Sequence, residues 1–68
     1  MKLTYKKLWK LLIDKGLNKT NLKEITGLSQ STIAKLTNSE NVNTDVLVKI
    51  CEKLNCDIGD IVEIERKV

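Results

Sequence analysis

Apolar residues recur along this chain at three- and four-residue steps, broken at short intervals by glycine, asparagine and serine. Leu8, Leu11 and Leu12, with Lys15 continuing the row, form one stripe of a helix expected over residues 6–15. Gly16 is the expected stop, and Leu17 precedes Asn18 as a hydrophobic staple precedes an N-cap. Asn18 then caps a second helix from Lys19 to Ile25 or Thr26, on which Leu22 and Ile25 share a face. Gly27 reads as a left-handed terminator, since glycine carries no Cβ to clash at positive φ. Ser29 caps a third helix, Gln30–Thr37, whose inner residues are Ile33 and Leu36. A polar loop over residues 38–41 follows. Asn43 caps a fourth helix, Thr44–Leu54, with Asp45 in its first turn and a stripe of Val46, Leu47, Ile50, Cys51 and Leu54. Asn55 ends it, and Asp57 caps a short fifth helix from Ile58 to Ile61 or Val62.

The two ends follow a different period. Leu3 and Tyr5 alternate with Lys2 and Thr4, as a strand would, although Thr4 also suits the cap of the first helix. In the tail, Val62, Ile64 and Val68 fall on one side, with Glu63, Glu65 and Lys67 on the other, predicting a half-buried strand. A strand needs a partner for its backbone groups. The segment from Leu3 to Tyr5 offers one within the chain, and a second copy of the tail offers another across a two-fold axis. The expected fold is therefore all-α, with five helices and a small two-stranded terminal sheet.

Composition narrows the functional classes. Sixty-eight residues make one domain, 1–68, near the lower limit for a self-sufficient core. The longest apolar runs are three residues, far below the ~20 of a membrane span, and no apolar signal segment is evident, so a cytoplasmic protein is expected. No histidine exists to activate a serine or cysteine. Ser29 and Ser31 near Lys35 lie on a short exposed helix that supplies no pocket or oxyanion donors. Gly16, Gly27 and Gly59 are too scattered for a phosphate loop. No enzyme, catalytic residue, cofactor or small-molecule ligand is expected. Cys51 and Cys56 fall short of the four ligands of a zinc site, so no metal is expected; Cys51 reads as a small hydrophobe on the fourth helix. Trp9, beside the leucine stripe, reads as core rather than as a base-stacking platform.

Charge is uneven. Eight lysines against Asp14 and Glu24 leave residues 1–38 at +6, while three lysines and Arg66 against seven acids leave residues 39–68 at −3. A solvated lysine surface accounts for this, as does a polyanionic partner on the first half. The third helix favours the second account. It presents uncharged hydrogen-bonding side chains, Gln30, Ser31 and Thr32, together with Lys35, and the DNA major groove admits one helix.

The stretch from Asn18 to Asn38 resembles the lambda-repressor-like (Cro-type, XRE) helix-turn-helix regulators. Leu22, Gly27, Leu28, Ile33 and Leu36 fall on that family's packing and turn positions, and Ser29, Gln30, Ser31 and Thr32 open its recognition helix. The resemblance extends more loosely over nearly the whole chain, including Thr44 to Val62. It implies transcriptional regulation by sequence-specific binding of double-stranded DNA, as a repressor occupying an operator, by a homodimer on two half-sites. Gln30, Ser31 and Lys35 are then the expected base contacts. Asn18, Lys19, Ser29, Thr32 and Asn38 are the expected backbone contacts, Asn18 and Lys19 because a helix N-terminus favours a phosphate. The chain departs from the family pattern at Lys23, where a small residue is common, and at Thr26, where an apolar one is. It departs again at Leu12, where some relatives carry a phosphate-binding arginine, and at Glu40 and Asp45, where basic residues are common. The last three predict modest affinity for one subunit. From another class comes the alternative of a protein-interaction module, such as a small antitoxin or accessory subunit, using the same basic face. Salt dependence of duplex binding separates the two.

Overall fold

The computed structural model describes residues 2–66. The chain runs β1 (Lys2–Thr4), α1 (Lys6–Asp14), α2 (Lys19–Thr26), α3 (Gln30–Thr37), α4 (Thr44–Leu54), a 3-10 turn (Ile58–Asp60) and β2 (Glu63–Glu65). Each α-helix exits through a residue in left-handed conformation: Gly16, Gly27, Ser39 and Asn55. The resulting bonds satisfy terminal carbonyls, as in Leu17 N–H to Leu12 O at 2.8 Å and Cys56 N–H to Cys51 O at 3.0 Å.

The core is built from Leu8 and Leu12 of α1, Leu22 of α2, Ile33 and Leu36 of α3, and Leu47, Ile50 and Leu54 of α4, closed by Tyr5, Leu28 and Ile61. Helix α2 packs on α3 and α4, and the 3-10 turn packs on α1 and α4. These contacts fix the angle at which α3 is presented. Lys15 is exposed, so the inner stripe of α1 ends before it.

Four expectations are corrected. The fifth helix is a single 3-10 turn, leaving four α-helices among the described residues. Asp57 and Asp60 close that turn on each other, through Asp57 Oδ1 accepting from Ile58 N–H at 2.8 Å and Asp57 N–H donating to Asp60 Oδ2 at 2.9 Å. Ile61 then enters the core with no exposed surface, and the chain must extend at once to pair with β1.

The second correction concerns α2, whose buried pair is Leu22 and Thr26. Ile25 is 39% exposed against 4% for Thr26. The threonine is buried at small cost because its Oγ1 donates to Leu22 O at 2.6 Å and accepts from Leu28 N–H at 3.4 Å.

Third, the sheet is short and open. Lys2, Leu3 and Thr4 pair antiparallel with Glu65, Ile64 and Glu63. All of β2 is exposed, Ile64 by 50%, rather than half-buried; Lys67 and Val68 lie outside the described residues. The alternation of β1 stops at Thr4, since both Thr4 and Tyr5 point inward. Thr4 therefore does not cap α1; Tyr5 holds the N-cap position without a side-chain bond. Its phenol donates to Glu40 O at 2.7 Å, tying the start of α1 to the loop after α3, and burial pushes its pKa up.

The fourth is Asn43, which holds the N-cap position of α4 but makes no side-chain cap bond. Cys51 is half-buried beside Cys56, and burial followed by the Cys56 charge pushes its thiol up to about 11. Such a thiol stays protonated at neutral pH and acts as packing.

Candidate nucleic-acid interface

Two capped helices and one glycine turn set the geometry of this surface. At the start of α2, Asn18 Oδ1 accepts from Asn21 N–H at 2.8 Å, and Asn21 Oδ1 accepts from Asn18 N–H at 3.0 Å. This reciprocal box leaves the N–H groups of Lys19 and Thr20 without helical acceptors, because the first helical bond is Leu22 N–H to Asn18 O at 3.0 Å. Gly27, at φ 70°, turns the chain, and its N–H donates to Lys23 O at 2.9 Å. Ser29 then caps α3, its Oγ accepting from Thr32 N–H at 3.2 Å and lying 3.0 Å from Thr32 Oγ1. At the far end Asn38 is followed by Ser39 at φ 57°, with Glu40 N–H bonded to Lys35 O at 2.8 Å.

Ile33 and Leu36 anchor α3 to the core, leaving Gln30, Ser31 and Lys35 exposed. A groove of about 290 Å³ between α2 and α3 is lined by Lys19, Thr20, Lys23, Gln30, Ile33 and Thr37. It brings the expected base reader Gln30 onto one surface with the expected phosphate contact Lys19. On the other flank, a depression of about 210 Å³ is lined by Thr32, Lys35, Asn41, Val42, Asn43 and Val46. Neither lining contains a carboxylate, so Glu40 and Asp45 stand outside both. Ser31 and Asn38 are exposed but line neither depression, and Asn18 and Ser29 are engaged as caps.

Sequence reasoning missed Asn41 and Asn43 beside Lys35, and Thr20 and Lys23 beside Gln30. Asn41 reads as loop and Asn43 as a cap, and only the fold of the loop against α3 aims them at one hollow. Lys23 is half-buried and lines the groove between α2 and α3, as a long side chain with a water-exposed head can at a small residue's position. Trp9 is half-buried at the edge of the core, and the Lys19 ammonium stands over its ring, 4.7 Å from the centroid.

Residues 7–67 match the family model of the Cro/C1-type HTH DNA-binding domain. The chain belongs to that family. Among curated proteins none matches. The crystal structure of transcriptional regulator VanUg is similar, with a TM-score of 0.89 and 56% identity over 91% of this chain and 83% of that one. The matched residues include α2, α3 and the Gly27 turn that joins them. No helix among the described residues is long and apolar enough to cross a membrane.

Proposed function

We propose that this Cro/C1-type domain is a transcriptional regulator in the cytoplasm that represses by occupying a specific double-stranded DNA sequence. The observation that carries the reading is the carboxylate-free groove lined by both Gln30 at the head of α3 and Lys19 at the head of α2. Helix α3 lies in the major groove, where Gln30, Ser31 and Lys35 meet base edges. The planar Gln30 amide pairs two hydrogen bonds with adenine, and the Lys35 ammonium donates to guanine acceptors. The uncommitted N–H groups at the start of α2 and the Lys19 charge take one phosphate. Asn18, Ser29, Thr32 and Asn38 contribute further backbone contacts that set register without reading sequence.

A homodimer suits this role, since one small module makes few phosphate contacts and two copies span half-sites about one DNA turn apart. The open edge of the β1–β2 sheet and the exposed Ile64 support a contact in which β2 pairs with its copy across a two-fold axis. Selection of bound sequences from a random duplex pool tests the reading. Enrichment of a paired half-site motif, with affinity falling steeply as salt rises, is expected. A pool that stays unenriched would overturn it in favour of a protein partner on the same basic face.

A further inference from the structure

Trp9 belongs to α1, outside the helix-turn-helix, yet its ring lies beneath the Lys19 ammonium at 4.7 Å from the centroid. Two features of the chain make this meeting. The Gly16 turn, closed by Leu17 N–H to Leu12 O at 2.8 Å, joins α1 to α2 and leaves Lys19, the first residue of α2, within reach of Trp9. Trp9 sits beside the buried Leu8, so its indole is held at the margin of the core with one part packed and the rest open to water. An aromatic face within about 6 Å attracts a cation through the negative potential above the ring. Lysine is otherwise a flexible stem carrying a hydrated point charge, and ordering it on a ligand costs side-chain entropy.

We propose that Trp9 is a positioning residue of the DNA interface, holding the Lys19 ammonium at the mouth of the α2 N-terminus before a phosphate arrives. The inference rests on the DNA-binding reading above. It assigns part of the interface to α1, through a side chain with no reading role of its own. An ammonium carries three N–H donors. With the ring against one side, the outward donors remain free for phosphate oxygens, next to the unclaimed N–H groups of Lys19 and Thr20. The lysine then pays less ordering entropy on binding, so the ring strengthens association with every sequence alike.

The test is a double-mutant cycle on binding to the selected duplex and to an unrelated one. Trp9→Met keeps an apolar side chain on α1 and removes the ring; Lys19→Ala removes the cation. Trp9→Met should weaken both duplexes by roughly two- to fivefold, the range expected for an exposed cation–π contact. It should have little effect once Lys19 is alanine, and Trp9→Phe should restore most of the loss. Equal weakening by Trp9→Met in both backgrounds would overturn the proposal, because the ring would then act through the fold or a contact of its own.

A second measurement needs only the wild type. NMR should show the Lys19 ε-protons shifted upfield by the indole ring current, both in the free protein and in the DNA complex. A shift that vanished on binding would mean that the ammonium leaves the ring, and would overturn the proposal even if Trp9→Met did not fold. Failure of the wild type to bind any duplex would overturn the DNA reading together with this inference. Tight binding without coupling between the two residues would remove the inference alone.

Discussion

Gln30 and Lys19 adjoin one groove but do different physical work in the proposed complex. Gln30 is exposed at the first position of α3, with a donor and an acceptor on one plane that suit a single base edge. Lys19 is a charge at a helix N-terminus and in that complex meets phosphate but no base edge. Their alanine variants should therefore differ in kind. Gln30→Ala is expected to cost about 1–3 kcal/mol on the selected site and to relax preference at one base pair. Lys19→Ala should weaken all duplexes similarly and lower the salt slope by about one unit. Titrations of matched and mismatched duplexes over a range of salt measure both. If Gln30→Ala weakened every sequence equally, α3 would not be the reading element.

The turn between α2 and α3 depends on backbone conformation rather than on space. Gly27 stands at φ 70°, and nothing lies within 4 Å of where a Cβ would be. A substitution there is strained by its own backbone, not by a clash. Gly27→Val should destabilise the domain by about 2 kcal/mol. Thermal unfolding by circular dichroism should show a Tm lower by roughly 10 °C for a domain of this size. Gly27→Ala should lie between the two. An unchanged Tm for the valine variant would mean that the turn does not need the left-handed conformation. The other helix ends follow a similar logic with different residues. Ser39 and Asn55 take positive φ without being glycine, at 57° and 53°, and only Asn55 has the short amide side chain that signals this from sequence.

At the scale of the whole molecule, the ends of the chain close the fold and offer the proposed dimer contact. β1 and β2 pair only with each other among the described residues, and Ile64 is left 50% exposed opposite Leu3. Sedimentation at micromolar concentration should show the wild type as a dimer on its selected DNA. Ile64→Asp should remain folded, because the position is exposed, and should be shifted towards monomer. A wild type monomeric both free and on DNA would refute the dimer and leave the sheet as a clasp for the chain ends.

What the sequence determined by itself was local. The bounds of α2, α3 and α4, the caps at Asn18, Ser29 and Asp57, and the left-handed exits at Gly27 and Asn55 were all legible. Caps and periodic stripes act over three or four residues, and those residues are adjacent in the chain. The same reach made the helix-turn-helix legible, together with the exposure of Gln30, Ser31 and Lys35, since Ile33 and Leu36 already assign the inner face of α3. Tertiary structure decided the rest, because it turns on groups distant in sequence. Thr26 rather than Ile25 turned inward once its hydroxyl was satisfied against the Leu22 carbonyl and the Leu28 amide. The fifth helix shrank to a 3-10 turn because Ile61 had to reach the core and Glu63 had to reach Thr4. Tyr5 crossed to the carbonyl of Glu40, and the turn between α1 and α2 set Lys19 on Trp9. Period and propensity carry no record of such meetings, since each is settled by how whole elements pack once they have formed.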